Sequence, residues 1–147
     1  MRYVHTSIVA RDWRALAAFY AEVFACRMVP PERRFEGDWL SRGTGVPDAA
    51  LEGCHLRLPG HGEDGPTLEI FTYRTIDART TQAPNAHGLA HLAFEVDDVV
   101  RTLAEVLAHG GSAVGEITER RVEGAGRLVF VYARDPEGNV LELQAWA

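Results

Sequence analysis

Lysine is missing altogether. All 15 basic residues are arginine, set against 21 acidic ones, for a formal net charge of −6 over 147 residues. Schiff-base chemistry on a lysine, a pyridoxal-phosphate lysine and a P-loop lysine are therefore excluded by inspection. The mildly acidic balance gives no electrostatic footprint for nucleic acid or anionic lipid, so neither is an expected partner. Cysteine is scarce too: Cys26 and Cys54 stand alone, outside any C-x-x-C. They form neither a disulfide framework nor a thiolate metal site and are expected as small buried thiols. The longest unbroken apolar run, Ala15 to Ala21, is seven residues, far short of the ~20 that cross a bilayer. The first residues lack the apolar stretch of a secretory signal, which makes the cytoplasm the expected compartment.

What is present is a chain with 46% apolar and 24% charged residues, enough for one compact domain or two small halves. Arg2 to Ala10 reads as a strand. Asp12 then looks like the N-cap of a helix with Trp13, Leu16, Ala17, Tyr20 and Phe24 at helical spacing, ending before Pro30-Pro31. Arg33 to Ala49, with three glycines and Pro47, is expected as a long loop; Leu51 to Leu58 and Thr67 to Tyr73 are expected as strands. The opening pattern recurs after a connection over Arg74 to His87. Leu89 to Val96 reads as a strand, and Asp97-Asp98 caps a helix with Val99, Val100, Leu103, Val106 and Leu107 inward, closed by Gly110-Gly111. Arg127 to Arg134 and Val140 to Trp146 form a hairpin around Asp135-Pro136-Glu137-Gly138-Asn139.

Laid together, the halves match. His5 corresponds to His91 and Asp12 to Asp98 at an offset of 86, while Thr67 to Phe71 resembles Val140 to Gln144 at an offset of 73. The difference of 13 residues fits extra chain in the Gly/Pro-rich segment of the first half. This internal duplication is the strongest organisational signal. It divides the chain into a module over about 1–75, a linker over about 76–87 and a module over about 88–147.

The duplication also pairs four residues that carry chemistry: His5 and His91 on the first strands, Glu69 and Glu142 on the last. Two imidazole nitrogens with two carboxylate oxygens suit a divalent metal ion (Zn, Ni, Co, Mn or Fe(II)) and leave octahedral positions open. Alternation along the strands orients all four the same way. Their flanking pairs, Val4/Thr6, Leu68/Ile70, Ala90/Leu92 and Leu141/Leu143, are apolar at seven of eight positions, as expected if that side is buried under the helices. Phe71 and Tyr73 share the face of Glu69, and Gln144 and Trp146 that of Glu142, which predicts an aromatic substrate-pocket wall. Tyr132 is a candidate donor to a bound oxyanion. His55, His61 and His87 are expected at loops or strand edges, His109 at a helix C-terminus, and the 35–47 segment is a candidate cover for the pocket mouth.

The stretches Val4-His5-Thr6-Ser7-Ile8-Val9, Thr67-Leu68-Glu69-Ile70, Gly88 to Val96 and Asp135 to Leu143 resemble the vicinal oxygen chelate superfamily, the glyoxalase, bleomycin-resistance and extradiol-dioxygenase group. The resemblance spans nearly the whole chain. It implies an α+β glyoxalase-like fold, two βαβββ modules forming a curled mixed sheet around a metal-centred cavity, commonly in a homodimer. With two His and two Glu, the chain is most similar to glyoxalase I-like and methylmalonyl-CoA epimerase-like members. In the latter, Gln stands in the place of Glu69, and an additional Glu, for which Glu52 is the nearest candidate, acts as a base. The implied activity is lyase, isomerase or epimerase chemistry on a small substrate that chelates the metal through vicinal oxygens, with Glu69 or Glu142 as the proton-moving carboxylate. The alternatives implied are an Fe(II) extradiol dioxygenase using His5, His91 and Glu142, and a metal-free binding protein of the bleomycin-resistance type. Glutathione is not carried over, because the positions that hold it in glyoxalase I-like sequences appear here as Val9 and Tyr73.

Overall fold

The computed structural model describes residues 1–78 and 83–147. The middle of the expected linker, 79–82, lies outside the described residues. The chain divides into two compact units, Met1–Arg79 and Thr80–Ala147. Among the described residues no helix is long and apolar enough to cross a membrane.

The first unit begins with β1 (His5–Val9), followed by α1 (Trp13–Phe24), β2 (Arg27–Glu36), α2 (Asp38–Thr44), β3 (Ala50–Arg57) and β4 (Thr67–Tyr73). The strands form one mixed sheet in the order β1-β4-β3-β2, with β1 parallel to β4 and the other neighbours antiparallel. Asp12 starts α1 as expected: its side chain accepts from the Arg14 and Ala15 N–H groups, both at 3.0 Å, satisfying two of the donors a helix start leaves orphaned. The apolar stripe Trp13, Leu16, Ala17, Phe19, Tyr20 and Phe24 is buried, and α1 packs on β3 and β4 over Cys54, Leu56, Leu68 and Ile70, each at most 1% exposed. The Trp13 N–H donates to Thr72 Oγ1 at 3.1 Å and pins the helix start to β4.

The second unit repeats the plan with β5 (Leu92–Glu95), α3 (Val99–Ala108), β6 (Ser112–Ala113), β7 (Thr118–Val122), β8 (Gly126–Arg134) and β9 (Val140–Trp146). Its sheet runs β5-β9-β8, with β6 and β7 both paired to β8 and β5 parallel to β9. Asp98 caps α3 through the Arg101 N–H at 3.0 Å. The hairpin turn is built on Asp135, 2% exposed, whose carboxylate accepts from the Glu137 and Asn139 N–H groups and from Asn139 Nδ2 at 2.6–3.0 Å. Register repeats the sequence offsets: Ser7 pairs with Glu69 in one unit, Ala93 with Glu142 in the other.

Two expectations are corrected and one is met in a different setting. The 33–49 segment is not a loop: it holds the second part of β2 and all of α2, because Leu40 anchors the short helix by packing on Ala49, Leu51 and Phe71. α1 ends before Pro30-Pro31 as expected; the two prolines lie inside β2, at an irregularity where the pairing register with β3 shifts between Val29 and Arg33, the kind of place a strand tolerates proline. On α3, Val99 and Val106 are buried, but Val100 and Leu107 are 63% and 47% exposed. The inward stripe is therefore narrower than the spacing suggested.

Candidate metal centre

β4 alternates strictly. Leu68 and Ile70 go under α1 at 1% and 0% exposure, which turns Glu69, Phe71 and Tyr73 to the opposite face. β9 does the same, burying Leu141 and Leu143 and turning out Glu142, Gln144 and Trp146. The pleat argument is weaker on the histidine-bearing strands. Val4 is 54% exposed, Ala90 and Leu92 are half-buried, and His91 lies one residue before β5; short strand ends have too few neighbours to bury a flank.

Each unit nonetheless brings its imidazole to its carboxylate. His5 Nε2 lies 3.5 Å from Glu69 Oε2, and His91 Nε2 lies 3.0 Å from Glu142 Oε2. Both carboxylates are 16% exposed, and His5 and His91 are 40% and 28% exposed. The units also share a third member that differs between them. β3 places His55 directly opposite Glu69, and β8 places Tyr132 directly opposite Glu142.

His55 is the residue the sequence reading misplaced. It sits within β3, not at a loop or strand edge, with Nε2 3.1 Å from Glu69 Oε1 and Nδ1 3.1 Å from Thr67 Oγ1. The signal was available: Cys54 and Leu56 alternate with it exactly as Leu68 and Ile70 alternate with Glu69. One nitrogen or oxygen from each of His5, His55 and Glu69 falls within 4.8 Å of the others. Burial lowers the basicity of the His55 imidazole; the Glu69 carboxylate opposes that, while Arg33, His5 and Arg57 add to it. Opposite Glu142, burial first and the carboxylate second push the Tyr132 phenol up. It therefore keeps its proton as a hydrogen-bond donor at neutral pH.

The remaining pocket candidates separate. Phe71 is 6% exposed, packed beneath α2 with its ring centroid 6.1 Å from that of His55. Tyr73 packs against the same cluster. The 35–47 segment contributes Leu40 and Val46 to that cluster, while Trp39 within it is 57% exposed. Tyr73 also lines a cleft of about 290 Å³ with Leu51, Glu52 and Arg74, whose lining does not include His55 or Glu69. Glu52 belongs there: it is exposed and points to the face opposite Glu69. In the second unit, the Tyr132 ring lies 5.1 Å from His91 and 6.0 Å from Phe130. Trp146 Nε1 donates to Gln144 Oε1 at 3.2 Å, leaving the indole 38% exposed at the strand end.

The donor chemistry suits a divalent ion. Imidazole nitrogens and carboxylate oxygens converge in each unit; His91 meets Glu142 through Nε2, and its buried Nδ1 has no hydrogen-bond partner among the described residues. The thiols take no part. Burial pushes Cys26 up to about 12 and Cys54 up to about 11, which keeps both protonated and poor as ligands or nucleophiles.

Comparison with known proteins agrees with this architecture. A protein of Escherichia coli K12 called YaeR, itself uncharacterized, is 27% identical over 139 residues, covering 95% of this chain and 92% of its own. A lactoylglutathione lyase of Neisseria meningitidis serogroup A is 23% identical over 142 residues, covering 97% and 88%. Among solved structures, a glyoxalase family protein from Bacillus cereus superposes with a TM-score of 0.75 at 24% identity, covering 99% of this chain and 93% of its own. The model of the Glyoxalase/Bleomycin resistance protein/Dioxygenase superfamily matches residues 2–143. With strand–helix–strands repeated in register and a His–Glu pair at each copy, the chain belongs to that superfamily.

Proposed function

We propose that this protein is a metal-dependent enzyme of the lyase or isomerase type, moving a proton on a small substrate that offers two vicinal oxygens. His5, Glu69, His91 and Glu142 would hold the divalent ion, one imidazole and one carboxylate from each unit. The observation that carries this reading is the repeated pair. A histidine Nε2 stands 3.5 Å from one carboxylate and 3.0 Å from the other, at the same register in both sheets. The residues facing the carboxylates differ. The lactoylglutathione lyase among the relatives supports the same class of chemistry.

When bound, the ion supplies Lewis-acid polarisation of the substrate oxygens, opposing the negative charge that develops as a C–H proton leaves. The chain's own groups do the rest. A carboxylate within reach of the substrate carbon takes the proton and returns it to the neighbouring atom. Glu69 is braced at Oε1 by His55, and Glu142 faces the protonated Tyr132, whose O–H can donate to a substrate oxyanion.

A second reading has its own observation: His5, His55 and Glu69 form a two-histidine, one-carboxylate set inside one unit, the composition of many non-haem Fe(II) oxygenase sites. Both are tested by supplying metal-loaded protein with 2-oxoaldehyde adducts, acyl-CoA thioesters and catechols in deuterated water, following NMR and oxygen uptake together. The proposal expects solvent deuterium in a product and a loss of about 100-fold or more in Glu69→Ala or Glu142→Ala. Oxygen uptake without deuterium incorporation would favour the second reading, and full activity in Glu69→Ala would remove the first.

A further inference from the structure

We propose that Arg33 is an anion-recognition residue on the ligand face of the first unit, selecting substrates that carry a carboxylate, phosphonate or phosphate group beside their chelating oxygens. This rests on the proton-transfer reading for its place in the reaction, but the binding site itself is argued from Arg33 and its neighbours.

β2 and β3 pair in two registers. Arg27, Met28 and Val29 pair with Arg57, Leu56 and His55; after the irregularity, Arg33 pairs with Gly53 and Arg34 with Glu52. Continued without the shift, the first register would set Pro31, with no side-chain donor, opposite Gly53. The extra residues of the bulge deliver a guanidinium there instead, and re-aiming a side chain is what such bulges do. Residues directly opposite in an antiparallel pair share a face, so Arg33 stands on the face of Gly53, His55 and Glu69. Arg34 points to the other side.

Arg33 is half-buried, and its Nη1 is buried without a hydrogen-bond partner among the described residues. A buried donor without a partner is costly, more so when charged, so an acceptor arriving there removes a standing penalty. Arg57 adds a second cation on the same face. One of its nitrogens donates to the Gly65 carbonyl, while its buried Nε is without a partner among the described residues. Both guanidinium charges are close enough to lower the basicity of His55. Against them, the carboxylate that this cluster holds among the described residues is that of Glu69, and a divalent ion would make the face more positive still. Planar forked donors match the paired oxygens of carboxylate and phosphate. A small oxyanion is therefore the ligand chemistry that fits.

The test is NMR titration of the full chain with inorganic phosphate at constant ionic strength, with zinc chelated away and again with zinc added, following the arginine Nε–Hε signals. Acetate serves as the carboxylate arm. The expected result is saturable movement of the Arg33 signal and at least a 10-fold loss of phosphate affinity in Arg33→Gln in either arm, with partial rescue by Arg33→Lys. Arg34→Gln, a neighbouring arginine on the opposite face, should change affinity less than twofold. Phosphate binding that survives Arg33→Gln in both arms, or that Arg34→Gln weakens equally, overturns the proposal. The zinc-free arm answers independently of metal binding, so failure of the metal reading would be seen separately, as zinc that does not bind.

Discussion

Gly53 is where the fold and the ligand face constrain one another most tightly, and replacing it by alanine tests both. A Cβ there would run into the Ile70 carbonyl oxygen and Phe71 Cδ1 and come within 2.8 Å of Phe71 Cα. Two of those three atoms are backbone, so no rotamer change relieves them. β3 must move away from β4 or the Phe71 ring must leave its place beneath α2. Overpacking of this kind costs about 1–3 kcal/mol, and loss of a ladder hydrogen bond adds about 1 kcal/mol, so about 3 kcal/mol is expected. For a chain of this size that lowers Tm by roughly 10 °C. Urea unfolding followed by the fluorescence of Trp13 and Trp39 measures it in the first unit. The paired control is Gly43→Ala in α2, where the added methyl meets nothing within 4 Å; relief of glycine's helix penalty should stabilise by about 0.5–1 kcal/mol. A Gly53→Ala protein within about 0.5 kcal/mol of the parent would refute the packing argument.

Other outcomes follow from the same geometry. Asp12→Ala and Asp98→Ala each remove a helix cap and should cost about 1 kcal/mol by urea denaturation, while an exposed acid such as Glu123 changed to alanine should cost little. Asp135→Ala strips the turn of three hydrogen bonds to one buried carboxylate and should cost about 2–4 kcal/mol in the unfolding of the second unit; a Tm unchanged by it would contradict the turn's role. The thiols give a pH dependence of definite sign. Unfolded they titrate near 9.0, folded at about 12 and about 11, so above pH 9 the unfolded chain holds fewer protons. Stability intact below pH 9 should then decline as pH rises toward 11. Cys26→Ala with Cys54→Ala should flatten that decline, and an unaltered slope would assign it to other groups.

Local chemistry made much of the fold legible. The aspartate caps, the strictly alternating β4 and β9 and the turn at 135–139 depend on residues a few positions apart, and each stands where its sequence pointed. What stayed hidden depends on contacts distant in sequence. α2 is a seven-residue helix held by Leu40 against Leu51 and Phe71, a partnership that Gly37, Gly43 and Gly45 conceal. β7, Thr-Glu-Arg-Arg-Val, is polar and exposed because β8 supplies its pairing. The candidate site was half visible. Duplication exposed His5, Glu69, His91 and Glu142, but His55 and Arg33 join the ligand face through register, and for Arg33 through a bulge. Alternation within β3 alone would have brought His55 to light.

If both His–Glu pairs hold one ion, as proposed, metal binding measured by calorimetry with metal analysis reads it directly. One divalent ion per chain is expected, with affinity reduced about 100-fold or more both in the His5→Ala, Glu69→Ala double variant and in the His91→Ala, Glu142→Ala double variant. A His91→Ala, Glu142→Ala protein that binds its ion as tightly as the parent would contradict it, and would place the centre on His5, His55 and Glu69 alone.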